Sequence, residues 1–230
     1  MTQLDPTTSA DLTAVAKMSQ PKSFAELGLI PELLATLDSL SYQVPTAIQQ
    51  STIPAAIAGK DVLGGAITGS GKTAAFALPI IQRLATAAQQ TRQSNQVASL
   101  VLVPTRELAQ QVADSFMRYA QNIKPNLKVL AVYGGVSSNS QMQSLRSGSD
   151  ILVATPGRLL DLIASNAVKL DKVRSLVLDE ADRMLSLGFT DELNALLAKL
   201  PAKKQTLLFS ATFPEEVMSL TQSLLNNPVQ

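Results

Sequence analysis

Five short segments of this 230-residue chain are apolar at nearly every position: residues 99–103, 129–132, 151–153, 175–178 and 206–209. A strand with one face in water alternates between apolar and polar residues. A strand covered on both faces reads as a continuous apolar run. Most of these runs are separated by stretches with helical spacing. Leu108, Val112, Phe116 and Tyr119 share one helical face, and Val217, Leu220 and Leu224 share another after Pro214 at a helix start. Buried strands alternating with amphipathic helices predict an α/β fold, a mainly parallel sheet with helices on both faces. A sixth strand is predicted at Asp61-Val62-Leu63, followed after a Gly/Ser-rich turn by a helix over residues 72–84.

In such sheets ligands bind beyond the carboxyl ends of the strands. The five runs are followed by Pro104-Thr105-Arg106-Glu107, Gly134-Gly135, Thr155-Pro156-Gly157-Arg158, Asp179-Glu180-Ala181-Asp182 and Ser210-Ala211-Thr212. Each cluster alone is an ordinary polar turn. Gathered on one edge, beside the turn after the sixth strand, they predict a site.

That turn reads Ala66-Ile67-Thr68-Gly69-Ser70-Gly71-Lys72-Thr73. Glycines let backbone N–H groups converge on a pyrophosphate, and the positive end of the following helix faces it. Lys72 is expected to reach the β- and γ-phosphates of a nucleoside triphosphate, and the Thr73 hydroxyl to ligate Mg2+. Ala66 stands where the usual pattern begins with Gly. A strand-to-helix turn of this composition also occurs for structural reasons alone, but the Gly-Lys-Thr ending favours the phosphate cradle.

Asp179, Glu180 and Asp182 fall within four residues of a fully apolar run. A strand-end acid suits magnesium, and a neighbouring acid suits positioning of an attacking water. Asp179 fits the first role and Glu180 the second. Acids at a helix start, where negative charge is favoured, are the simpler alternative. Cradle and acids together point to binding of a nucleoside triphosphate with Mg2+ and to its hydrolysis.

Composition narrows the chemistry. Apolar residues make up 46% of the chain, enough for the core of one large domain. There is no cysteine and no histidine. Disulfides, zinc–thiolate sites, cysteine nucleophiles and histidine-based catalysis are therefore excluded. No apolar stretch reaches membrane-spanning length and the N-terminus has no signal-peptide core, so a cytoplasmic protein without membrane attachment is expected. The net charge is only +1, but residues 60–146 carry nine Lys/Arg against three Asp/Glu. That basic middle contains the cradle and the next two strand ends, which favours phosphate-rich ligands there; a solvated basic face is the other reading. Residues 1–22, rich in Thr, Ser, Ala and Gln and lacking aromatics, are expected to be a flexible tail, with at most a short helix over 10–18. Polar stretches at 88–96 and 137–140 are expected to be loops.

From about Phe24 to Pro228 the motifs, in their order, strongly resemble the first RecA-like lobe of DEAD-box ATP-dependent RNA helicases. The segments Gly134-Gly135-Val136-Ser137, Asn166-Ala167-Val168-Lys169-Leu170-Asp171 and Leu200-Pro201-Ala202-Lys203 look most like a bacterial RhlE-like subgroup. The resemblance implies a RecA-like P-loop domain over 23–230 that binds ATP and Mg2+. It assigns Pro45-Thr46-Ala47-Ile48-Gln49 to an adenine-reading motif, with Gln49 bonding the adenine edge and Phe24 stacking on the ring. Without it, a polar helix residue and a core aromatic are the natural readings. Thr68, Gly69, Ser70, Gly71, Lys72 and Thr73 become the phosphate and Mg2+ loop, with Asp179 sharing the metal largely through water. Thr105, Arg106, Gly134, Gly135, Thr155, Gly157 and Arg158 are implied to grip RNA by its backbone, with weak sequence preference. Ser210 and Thr212 are implied to couple the nucleotide site to RNA through Asp182.

Ser41, Ala47 and Ile67 depart from the family's usual Gly, Pro and frequent Gln. None removes a group assigned to the nucleotide, though the role of that Gln is left open by Ile67. The family's second RecA-like lobe, with its arginine fingers and half of the RNA site, has no counterpart before Gln230, so the chain is expected to be a fragment of a longer protein in preference to an unusual one-lobe relative. The motifs suit a strand-separating helicase, an ATP-gated RNA clamp that unwinds little, or a DNA-directed relative. Neither the oligomeric state nor the physiological RNA is legible.

Overall fold

The apolar runs are strands, and every neighbouring pair of them is parallel. The computed structural model describes residues 23–67, 69–87 and 94–230; the expected tail at 1–22, Thr68 and residues 88–93 of the expected loop at 88–96 lie outside the described residues. A 3-10 turn at Phe24–Leu27 leads into α1 (Pro31–Ser39), α2 (Ala47–Ile57), β1 (Val62–Gly65) and α3 (Lys72–Thr86). Then come β2 (Val97–Leu102), α4 (Arg106–Tyr119), β3 (Val129–Val132), α5 (Ser138–Leu145), β4 (Ser149–Ala154) and α6 (Pro156–Ala164). The chain continues with β5 (Ser175–Leu178), α7 (Ala181–Ser186), α8 (Thr190–Leu197), β6 (Gln205–Ser210) and α9 (Glu215–Leu224). This is the expected RecA-like α/β domain.

The sheet order is β1-β6-β5-β2-β4-β3. One continuous register row runs Leu63, Leu208, Leu178, Leu102, Ala154, Val132. Because the strands are parallel and in register, their carboxyl ends finish at a common level, and the polar clusters that follow them share one edge.

Successive residues of a strand point to opposite faces. Val101, Val153, Val177, Leu207 and Phe209 pack with α1 to α4, centred on Phe76 and Phe116. Leu100, Leu102, Leu152, Leu176 and Leu208 pack with apolar residues of α5 to α9. The Phe76 ring lies 6.0 Å from Phe116 and 5.5 Å from Phe209, centroid to centroid. Both faces are therefore covered, which is why the strands show no alternation of polarity.

Two expectations need correction. Residues 137–140 are not a loop, because Ser138 opens α5. Its polar first turn is anchored only later, by buried Gln141 and Leu145, so the apolar signal is too short to read. Asp61 precedes β1 instead of starting it. Its carboxylate accepts the backbone N–H groups of Thr206 and Asn226, both at 2.8 Å. It thereby ties β1, β6 and the segment after α9 together.

Candidate functional site

The loop from β1 to α3 is shaped by two glycines at positive φ, Gly69 at +84° and Gly71 at +90°. Gly71 is enclosed as well as left-handed. The side-chain amide of Gln49 donates from Nε2 to the Gly71 carbonyl at 3.1 Å. Its Oε1 accepts the Thr46 N–H at 2.9 Å, in the capping box that starts α2. Gln49 is 2% exposed, so both ends of its amide are committed to holding α2 against the loop. Among the described residues, Ser70 Oγ, in the same loop, is buried with no hydrogen-bond partner.

Lys72 opens α3, and its side chain is 7% exposed. Its Nζ lies 3.5 Å from Oδ1 of Asp179, the residue that follows β5. Asp179 is 2% exposed. Burial pushes its carboxyl pKa up; Lys72 opposes that shift and Glu180 reinforces it. Glu180 adopts left-handed backbone geometry, φ 54° and ψ 51°, at the start of α7. Such a conformation costs about 1–2 kcal/mol for a residue with a side chain. Its Oε2 is 3.5 Å from the Arg183 guanidinium.

Asp182 joins this strand end to the next. Its Oδ2 accepts from the Thr212 amide at 2.9 Å and the Thr212 hydroxyl at 2.7 Å. Its own N–H donates to Ser210 Oγ at 3.2 Å, and Ser210 Oγ donates to the Thr212 carbonyl at 2.7 Å. Burial alone would raise the Asp182 pKa, but hydrogen bonds from Thr212, Ser210 and the Arg183 amide outweigh it and hold the pKa below the usual value.

The residues expected to grip RNA share the same sheet edge. Thr105 caps α4 by accepting the Leu108 N–H at 3.2 Å. Arg106 stacks over the Tyr133 ring at 5.7 Å. A Cβ placed on Gly135 would sit 3.4 Å from Arg106 Nη1, so the glycine loop and the arginine are neighbours. Arg158 donates to the Val136 carbonyl at 3.1 Å and to Gln141 Oε1 at 3.1 Å, which clasps α6 to that loop. Gly134 and Gly157 face open space, and Thr155 is buried at the start of α6.

Other residues are arranged differently from expectation. Phe24 is 5% exposed, belongs to the apolar core and meets Tyr42 edge-on at 6.2 Å. As placed, its ring is a core aromatic with little free face for stacking. The basic middle of the chain does not collect at the cradle either. Lys72 is at the cradle and Arg106 is farther along the same carboxyl edge, after β2, but Lys60 and Lys128 precede β1 and β3, on the opposite edge of the sheet, because cations near in sequence can flank either end of a strand. Sequence reasoning placed Thr46 in the adenine-reading motif without its capping role, and it passed over three other residues that hold the site: Tyr133, Gln141 and Arg183. Thr46 carried a signal, the capping box with Gln49 three residues on. The others touch their partners only after folding.

Fold and site together define a RecA-like α/β domain with polar and charged groups gathered at the carboxyl edge of its sheet. Residues 46–220 match the DEAD/DEAH box helicase family, and the chain belongs to it. It is 42% identical over 205 residues to the ATP-dependent RNA helicase CshA of Listeria monocytogenes, covering 89% of this chain and 38% of that protein. It is 44% identical over 208 residues to the ATP-dependent RNA helicase DeaD of Mycobacterium tuberculosis, covering 90% of this chain and 36% of the relative. DeaD of Escherichia coli is 44% identical over 206 residues, again 90% of this chain, and 32% of that protein is matched. The chain thus spans less than two-fifths of the length of these relatives.

Proposed function

We propose that this chain is the ATP-binding RecA-like lobe of an RNA helicase, acting with a second lobe to separate or remodel RNA. The observation that carries the reading is the Lys72–Asp179 pair, 3.5 Å apart, at the end of a loop whose Ser70 hydroxyl is buried and, among the described residues, unpartnered. A phosphate group supplies what each lacks. Lys72 exchanges its carboxylate partner for phosphate oxygens, and Ser70 gains an acceptor. The donor set also fits magnesium, which keeps several waters and needs only one or two protein oxygens, here Thr73 and Asp179. When bound, magnesium shields the charge on the phosphates and so favours phosphoryl transfer.

The chain's own residues then divide the work. Once Lys72 turns to phosphate, an Asp179 oxygen would be available to hold magnesium. Glu180, fixed beside Arg183, orients the attacking water. Asp182 carries the state of this strand end to Ser210 and Thr212. Arg106, Arg158 and the Gly134-Gly135 loop hold RNA phosphates by charge and backbone N–H groups, so binding is nearly sequence-independent. Gln49 selects adenine by offering an amide donor and acceptor side by side, which requires it to exchange one of its present partners. Three loop and turn segments favour the RhlE-like subgroup. A cytoplasmic setting belongs to the same proposal; among the described residues no helix is long and apolar enough to cross a membrane.

Calorimetry with Mg-ADP tests the nucleotide reading. The wild-type chain should bind, and Lys72→Ala should bind at least tenfold more weakly. Equal affinity of the two proteins would overturn it.

A further inference from the structure

Strands β1, β6 and β5 lie side by side, and their amino-terminal ends are flanked by Lys60, by Lys203 and Lys204, and by Lys172 and Arg174. Arg83, near the end of α3, joins them. Its guanidinium donates to the Ala56 carbonyl at 2.8 Å and to Ser175 Oγ, at the start of β5, at 3.2 Å. Gln205 binds the group together by donating to the carbonyls of Ala56 at 3.0 Å and Lys60 at 2.6 Å. These six cations have two acids beside them in sequence, Asp61 and Asp171. The Asp61 carboxylate is already taken by two backbone N–H groups.

The positive charge is poorly compensated. Arg83 is half-buried, and the groups it donates to are neutral, a carbonyl and a hydroxyl. Burial, and then the like charge of Arg174, lower its pKa. Lys60, Lys172 and Lys203 are exposed. Neighbouring strands are about 4.8 Å apart, so three strand starts set a positive row roughly 10 Å long, enough to meet two or three successive phosphates of an extended strand. Like charges held together on a rigid edge, with few acids among them, are stabilised by a polyanion whose charges repeat at comparable spacing. An acidic protein surface satisfies this less well, because its carboxylates have no regular repeat.

We propose that this amino-terminal edge is a second, sequence-independent binding surface for the phosphate backbone of RNA, on the opposite side of the sheet from Arg106 and Arg158. The choice of RNA as the polyanion rests on the function proposed above. The surface would hold RNA flanking the segment engaged at the carboxyl edge, which gives the domain a grip on the strand that does not depend on the nucleotide site.

The test compares the wild-type chain with Lys60→Ala/Lys172→Ala/Lys203→Ala and with Arg106→Ala/Arg158→Ala. A labelled 20-nucleotide RNA is titrated across a salt series, and Mg-ADP affinity and the thermal midpoint are measured for each protein. The three lysines lie outside the nucleotide site, so ADP binding and melting should not change in the lysine variant. Every phosphate of a single strand that a protein ceases to neutralise makes the slope of log affinity against log salt shallower by about 0.7. With three lysines removed, the slope should therefore become shallower by about 2, and binding in low salt should weaken at least tenfold. An unchanged slope, with weakening confined to the arginine variant, would overturn the second surface and leave the proposed function standing. Weakening confined to the lysine variant would support the surface and overturn the RNA role of Arg106 and Arg158. No RNA binding by the wild type would overturn both; polyglutamate binding in its place would assign the edge to an acidic protein.

Discussion

Gly71 should tolerate alanine far worse than a left-handed backbone alone explains. Gly59 provides the comparison, since its φ is +79° and a Cβ there would meet nothing within 4 Å. Gly59→Ala therefore carries only the cost of left-handed geometry, about 1–2 kcal/mol. At Gly71, φ is +90° and the same cost applies, but the new Cβ would lie 2.5 Å from Gln49 Nε2, 3.2 Å from its Cδ and 3.0 Å from Thr46 Oγ1. The Gln49 amide must move, and its bond to the Gly71 carbonyl breaks. Because Gln49 is 2% exposed, its donor is then left buried without a partner. That adds about 1–3 kcal/mol, for a total of about 2–5 kcal/mol. Urea denaturation of the two variants reads the difference directly. In a Gln49→Ala background the colliding amide is gone, so the Gly71→Ala cost should fall towards that of Gly59→Ala. Calorimetry should show that Gly71→Ala also loses Mg-ADP binding while Gly59→Ala keeps it. If Gly71→Ala costs no more than Gly59→Ala, Gln49 does not brace the loop and the reasoning fails.

Other predictions follow from the same geometry. The wild-type chain should bind ADP in preference to GDP, and Gln49→Ala should weaken ADP binding by about 1–3 kcal/mol and blunt the preference; equal calorimetric affinities of wild type for ADP and GDP would refute the adenine role. In a protein carrying both lobes, Glu180→Gln should retain ATP binding and nearly stop hydrolysis, since it keeps the shape and removes the charge that positions water; wild-type turnover would reassign Glu180. The Asp182 pKa is depressed in the folded state, so its contribution to stability is present above its unfolded value and is lost as pH falls through the folded one. Thr212→Val, which removes the 2.7 Å hydroxyl bond, should shrink that acid-side loss, as read from melting temperature against pH. Asp179 has the opposite sign, its raised pKa costing stability as pH rises from the unfolded value towards the folded one. The chain as it stands should release phosphate from ATP negligibly even with saturating RNA, because an arginine from a second lobe contributes about 10³–10⁵ in rate in comparable enzymes; turnover at the rate of a two-lobe enzyme would refute the division of the site between lobes.

Local chemistry was legible in the sequence wherever it depends on neighbours along the chain. The continuous apolar run 175–178 coincides with β5 because a strand buried on both faces leaves polar residues nowhere to go; run 129–132 coincides with β3, which lies at the sheet edge and is only partly buried over its first three residues. The Gly-Lys-Thr turn and the acids after β5 were readable because backbone geometry and charge at a strand end are local properties. Strand order was not legible, since all six strands have similar apolar composition and any pairing would bury them. For the same reason the sequence could not say that Val101 and Val177 face α1 to α4 while Leu100 and Leu176 face α5 to α9. Gln49 and Phe24 show the limit for single residues. Only packing decided that the Gln49 amide spans Thr46 and Gly71, and that the Phe24 ring lies in the core against Tyr42. Charge shows it for the whole chain. The excess of cations over 60–146 was visible as a count, but parallel strands have two ends, and only the folded sheet assigned Lys72 and Arg106 to one and Lys60 and Arg83 to the other.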